Sequence, residues 1–258
     1  MYFSALCAYI ILGLAYASLT GQKDDSNKYS RWLFVTVIPL LFLVLRIWFS
    51  IDGYSRTFTW VKAFTLWGSN IPLVASYMFD EKSRAFRVME RIMMGFLVLN
   101  IVEAAAVATF QLGQYANALI GVCLIAYLLV VDRRMVFGKA STNSLFMDLH
   151  PYFIYVYCYW NMTFCFAEFP DRPIFHVVHV CLPLIIEEFR EGSSLLYMRT
   201  RAPVLFVAIL FSIFLGEKKM NAAFGTPGLS IGSAGALVLL LCIRIASAEY
   251  AKRVKRVS

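Results

Sequence analysis

Nine mostly apolar runs occupy most of this 258-residue chain, and they constrain its fold more than any other feature. They cover roughly Tyr2–Leu19, Trp32–Ile51, Phe58–Phe79, Ile92–Phe110, Asn117–Val131, Pro151–Phe169, Ile174–Ile186, Ala202–Leu215 and Leu229–Ala248. A helix that crosses a bilayer needs about 20 such residues, with a range of about 17–25. The loops between the runs are short and carry the breakers Gly21, Gly53, Gly113, Pro170, Pro173, Gly192, Gly216 and Pro227. The longest loop, Asp132–His150, has room for a short interfacial helix around Ser144–Leu149. The seventh run is the weakest, being short and interrupted by Pro183, as a re-entrant or tilted helix would be.

Composition agrees with burial in lipid. The chain is 60% hydrophobic and 16% charged, against roughly 45–50% and about 25% in soluble domains. No stretch is polar enough to build a soluble domain, so residues 1–258 read as a single integral membrane domain. The expected fold class is all-α: a polytopic transmembrane helix bundle of about nine spans in the cell (inner) membrane. Ala15-Tyr16-Ala17 resembles a signal-peptidase site. No Lys or Arg precedes the first apolar run, so the basic segment of a signal peptide is missing. The first run is therefore expected to be a retained helix. The six cysteines lie inside apolar runs without a CxxC pair and read as small buried hydrophobes.

The net charge of +8 could suit a nucleic-acid partner. Lys and Arg sit at the ends of the runs instead, where they favour the cytoplasmic side of a membrane. The odd-numbered loops and the C-terminal tail hold 17 of the 24. The even-numbered loops and their margins hold 5: Arg56, Lys62, Arg172, Lys218 and Lys219. Arg46 and Arg244 lie within spans. This bias places the N-terminus outside and the C-terminus in the cytoplasm, and it implies that the seventh run crosses fully.

Polar residues inside the spans are costly and mark function or helix contacts. The topology gathers them in the extracytoplasmic half of the bundle. Helical spacing groups Lys62 with Ser69 and Asn70, Asn100 with Glu103 and Gln111, and Tyr157 with Asn161, Phe164 and Glu168. The sharpest expectation is an ion pair, Lys62–Glu103 or Arg46–Glu103, lining a cavity open to the outside. Lys62 is also close enough to the interface to snorkel. Tyr155, Tyr157, Tyr159 and Trp160 make the sixth span strongly aromatic. Asn161-Met162-Thr163 matches a glycosylation sequon but falls within that span.

His176 and His179 place two imidazoles on one face, and Glu168 adds a carboxylate. A catalytic zinc site needs three well-placed ligands. HExxH is absent, and the third histidine, His150, falls at the opposite end of its helix. Interfacial hydrogen bonds are the expected role of the pair, and no metal or cofactor is expected. The chain has no Walker A loop and no GxSxG elbow.

Several ordered phrases resemble an uncharacterised family of bacterial multi-pass membrane proteins, a domain of unknown function. They are Trp60-Val61-Lys62, Leu99-Asn100-Ile101-Val102-Glu103-Ala104, Thr109-Phe110-Gln111, Asn117 with Gly121, Tyr157-Cys158-Tyr159-Trp160-Asn161, and Arg201-Ala202. The resemblance spans about Thr57 to Ile209. It implies no activity, but it singles out Trp60, Lys62, Asn100, Glu103, Gln111, Trp160, Asn161 and Arg201.

The leading expectation is therefore a small-solute or ion transporter or channel. Lys62 and Glu103 would be its charge partners, Asn100 and Asn161 its hydrogen-bonding orienters, and Trp60 and Trp160 its walls, with Gln111 on the same stripe. The partners are membrane lipids and a small polar or charged solute, not nucleic acid. The alternatives are an intramembrane enzyme on a lipid or isoprenoid substrate, and a non-catalytic sensor or assembly subunit. A transporter requires a cavity narrowing near Glu103, whereas a sensor requires a packed bundle.

Overall fold

The computed structural model describes residues 11–12, 15, 32–48, 57–75, 78–80, 82–130, 137–139, 145–147, 149, 151–191 and 197–224. These residues are almost entirely helical. A π-helical turn at Leu33–Val37 leads into α1 (Ile38–Trp48). Then follow α2 (Thr57–Ala75), α3 (Arg84–Phe110), α4 (Tyr115–Val130), α5 (Pro151–Glu168), α6 (Pro173–Glu191) and α7 (Tyr197–Phe224). The first and ninth apolar runs, apart from a few residues of the first, and the basic tail lie outside the described residues.

Local chemistry explains several of the helix ends. Ser83 caps α3 by accepting from the Phe86 N–H, so the helix starts at Arg84 rather than at the expected Ile92. The added turns carry exposed Arg84, Arg87 and Arg91. Gly113 adopts φ 64, a left-handed conformation that costs glycine little. There the chain reverses from α3 into α4, and the Gln114 N–H donates to the Ala108 carbonyl. Pro151 and Pro173 begin α5 and α6, where a missing N–H costs nothing.

Two expectations fail. The loop between α4 and α5 forms no helix near residues 145–147. It forms an antiparallel pair, β1 (Phe137–Lys139) and β2 (Leu145–Met147), with Phe137 opposite Met147. A helix of a few residues cannot repay its nucleation cost, whereas the hairpin pairs the backbones of two three-residue segments. Nor does the eighth run end at Gly216: α7 continues through it to Phe224. Pro183, a weak point in the sequence, sits inside an unbroken α6.

The largest core joins α3, α4 and α5 around Leu97, Ile101, Leu128, Tyr157 and Trp160. A second cluster lies between α6 and α7, and a third joins α1, α2 and α7 through Leu43, Leu66 and Phe206. Helices α3, α4 and α5 meet through small residues. A Cβ added at Gly121 would lie 3.1 Å from Ala105 Cβ and 3.2 Å from the Trp160 ring. Trp160 in turn donates from Nε1 to the Asn117 carbonyl at 2.8 Å. The absence of a side chain at Gly121 is what lets these helices approach so closely.

Large apolar residues also face outward. On α3 they are Val88, Ile92, Leu99, Val102 and Phe110, and on α4 Leu119, Val122, Leu129 and Val130. Among the described residues one helix, α3, is long and apolar enough to cross a membrane; α4 and the central parts of α6 and α7 are apolar but shorter.

Two glycines of the bundle should respond oppositely to alanine. Gly121→Ala is expected to destabilise by about 1–3 kcal/mol through overpacking. A Cβ added at Gly95 would meet nothing within 4 Å, so Gly95→Ala should gain about 0.5–1 kcal/mol of helix propensity. Denaturant unfolding of the purified protein measures both, and equal effects would refute the packing assignment.

Candidate functional site

Antiparallel packing of α2 on α3 brings Lys62 to Glu103, with Nζ 3.0 Å from Oε2. Both side chains are about nine-tenths buried, with exposures of 9% and 10%. Lys62 also donates to the Asn100 carbonyl at 3.2 Å. The Thr65 hydroxyl, one turn further along α2, donates to Glu103 Oε1 at 2.7 Å. Both carboxylate oxygens are thus bonded, which a buried ion pair requires if it is not to cost stability. The alternative partner for Glu103, the side chain of Arg46, lies outside the described residues.

Beside this pair is a cavity of about 60 Å³ between α2, α3, α5, α6 and α7. Its polar wall holds Lys62, Asn100, Asn161, Arg172, His176, His179, Arg201 and Ser212, with Cys165. A second cavity of about 40 Å³ shares Asn100, Arg201 and Leu205 with the first and adds Thr65, Ser69 and Tyr157. Among the described residues no Asp or Glu lines either one.

Arg201 joins the two. Its place in the sequence assigns it to the loop before the eighth run, yet it lies inside α7 at 1% exposure. Its Nη1 donates to the His179 carbonyl at 2.9 Å and its Nη2 to Asn161 Oδ1 at 3.3 Å. The first bond has a cause in the sequence. Pro183, four residues beyond His179, has no N–H to close the helical bond onto that carbonyl, and the guanidinium takes the vacant position. Arg201 Nε has no partner, and among the described residues no carboxylate compensates the charge.

The amides complete the wall. Asn100 donates from Nδ2 to the Tyr157 hydroxyl at 2.8 Å, while its Oδ1 has no partner. Asn161 donates from Nδ2 to the Tyr157 carbonyl and accepts from Arg201. Arg172 lies over the Phe169 ring, 5.2 Å from its centroid.

Of the residues expected at a site, Lys62, Asn100 and Asn161 line the cavity, and Glu103 stands behind Lys62. Three lie elsewhere. Trp160 is fully buried among Tyr157, Phe164 and Gly121 as a packing residue. Trp60 packs beside the α1–α2–α7 cluster. Gln111 is exposed at the C-terminal end of α3. Helical spacing aligns Gln111 with Glu103, but α3 ends at Phe110 and leaves it outside. Sequence reading misses Arg172 and Cys165 as cavity residues. It places Arg201 by loop position, because reach across helices cannot be read from spacing. Pro183 four residues after His179 is the one available signal.

His176 and His179 do share a face, but their third neighbour is Cys165. One ring nitrogen of each histidine and Cys165 Sγ all lie within 4.8 Å of one another.

No family model matches the chain, and neither a curated protein nor a solved structure matches it.

Glu103→Gln is expected to destabilise the bundle by about 3–5 kcal/mol, because Lys62 is left as an uncompensated buried charge. The double variant Lys62→Met with Glu103→Leu should recover most of that loss. Chemical unfolding in micelles tests the pair. Equal stability of Glu103→Gln and the unmodified protein would show that Lys62 does not depend on Glu103.

Proposed function

We propose that this chain is a multi-pass protein of the cell (inner) membrane that binds and carries a small anion through its central cavity. The observation that carries the reading is Arg201. A guanidinium at 1% exposure, with a free Nε and no carboxylate beside it among the described residues, is an unfinished ion pair. Burying an uncompensated charge is expensive, and an anion in the cavity supplies the missing partner. Arg172 adds positive potential from the same wall, and among the described residues no Asp or Glu lines it.

Cavity size narrows the ligand. A water needs about 10–15 Å³ of such space, so about 60 Å³ holds a handful of waters or one small anion. Sites for larger organic ligands run to about 300–1,000 Å³. The solute class is therefore an inorganic or one- to two-carbon anion, such as a halide, nitrate, bicarbonate or formate. Asn100 Oδ1 and Arg201 Nε offer one acceptor and one donor for a ligand with both functions.

The membrane reading draws on the surface and on charge. In α3 44% of the most apolar window is buried, and along the helix Ile92, Leu99, Val102 and Phe110 are exposed. Exposed apolar faces of this extent mark contact with lipid or protein. Ile92–Phe110 spans about 28 Å at 1.5 Å per residue, close to the roughly 30 Å of a hydrocarbon layer. The preceding turns, with exposed Arg84, Arg87 and Arg91, would stand at the interface. The bias of Lys and Arg toward the odd loops and the tail survives the loss of Arg201 from that count. It supports nine spans with the N-terminus outside and the C-terminus in the cytoplasm. A cavity that holds the side chains of Arg201 and Arg172 also argues against a solidly packed assembly subunit.

Purified protein in liposomes is expected to pass small anions from a panel of chloride, nitrate, bicarbonate and formate. Arg201→Met should lower the flux of the preferred anion about 10–100-fold, the loss of one charge-assisted contact of about 1.5–3 kcal/mol. Arg201→Lys should fall between, since an ammonium lacks the planar fork. Flux no greater than in empty liposomes, or full flux in Arg201→Met with helix content preserved, would reject the reading.

A further inference from the structure

The same cavity contains a second arrangement that anion binding does not explain. Cys165 near the end of α5 meets His176 and His179 on the first turns of α6, across the tight Phe169–Arg172 turn. All three side chains are buried. Cys165 forms no disulfide. Each imidazole spends one nitrogen on a main-chain carbonyl. His176 Nε2 lies 3.1 Å from the Phe169 carbonyl, and His179 Nδ1 lies 3.1 Å from the Phe175 carbonyl. A carbonyl only accepts, so both contacted nitrogens carry the hydrogen, and the other nitrogen of each neutral ring presents a lone pair.

Those two lone pairs are Nδ1 of His176 and Nε2 of His179. The first has no partner, although His176 is only 2% exposed. The second faces Cys165 Sγ at 3.7 Å. Two ligands held at about 2.0 and 2.3 Å from one ion are separated by a similar distance. Backbone carbonyls that fix the tautomer and aim the other nitrogen are the usual outer support of metal-bound histidines.

We infer that Cys165, His176 and His179 form a binding site for a soft monovalent metal ion, of which Cu(I) is the biological example. A thiolate with two imidazoles is a soft donor set that suits Cu(I) or zinc. Charge decides between them. On binding, the Cys165 thiol releases its proton to solvent and its sulfur bonds the metal. A monovalent ion with one thiolate is then neutral. A divalent ion with the same ligands carries a net positive charge, beside Arg201 and Arg172; among the described residues no Asp or Glu lines the cavity, and Glu168, near enough to Cys165 to act on it, stands outside that lining. Three donors also satisfy a trigonal ion, with no fourth protein ligand required. The inference stands on the donors and not on the anion reading, and equilibrium binding tests it without any flux.

The test is a competition titration of the purified full-length chain, kept anaerobic, against Cu(I) held by the chromogenic chelator bicinchoninate. One Cu(I) per chain should leave the chelator. Cys165→Ser and His176→Leu should each weaken binding at least about 100-fold, with helix content unchanged by circular dichroism. A tenfold excess of zinc should not displace the copper. Copper K-edge absorption of the unaltered protein provides a reading independent of variant folding, expected to show one sulfur and two nitrogen neighbours. No copper uptake, or uptake that persists in both variants, or a spectrum without sulfur, overturns the site and leaves a thiol–imidazole hydrogen bond. Displacement by zinc overturns the monovalent assignment.

Discussion

A buried guanidinium bonded to a carbonyl that a proline has left open organises the centre of this structure. Pro183 cannot donate back to His179, so α6 carries an unsatisfied acceptor in its interior. Arg201, projecting from the first turns of α7, supplies the donor at 2.9 Å. Its other amino group reaches Asn161 on α5. One side chain thereby ties three helices together at a single depth. The cost is a charge held away from water, and the two cavities meet where that charge sits.

The Lys62–Glu103 pair solves the same problem differently. It is closed: the ammonium bonds a carboxylate and a carbonyl, and the carboxylate takes a second bond from Thr65. A closed pair holds α2 to α3 and has little left to offer a ligand. An open cation does the reverse. The two sites therefore differ in kind, with Lys62–Glu103 bonded on both sides and Arg201 keeping one donor, Nε, without a hydrogen-bond partner. Asn100 connects them, since its carbonyl receives Lys62 and its side chain bonds Tyr157 beside Arg201.

The aromatic character of α5 separates along the same lines. Tyr157 and Trp160 are fully buried and hold α5 against α3 and α4 by hydroxyl and indole bonds. Tyr152 and Tyr159 face outward. One helix thus presents a packed aromatic side and an amphipathic outer side, as the alternation of its tyrosines around the helical turn requires. Cys165 and Asn161 follow on its inner side and line the cavity.

By itself the sequence determined the helical class, because apolar runs bounded by Gly and Pro leave few alternatives for backbone hydrogen bonding. It also determined that Lys62, Asn100, Glu103 and Asn161 were the polar residues to follow, because ionisable and amide groups in such runs are costly without partners. Helical spacing was enough to set His176 and His179 side by side. The tertiary structure decided what spacing cannot express. It closed Glu103 onto Lys62 and Thr65, left Gln111 beyond the end of its helix, and turned Trp160 into a packing residue. It drew Arg201 from an expected loop into the core, and set Cys165 against the two histidines. Each of those outcomes depends on how far a side chain reaches toward another helix. Reach is fixed by helix packing and by unsatisfied groups such as the His179 carbonyl, and neither is local to any stretch of sequence.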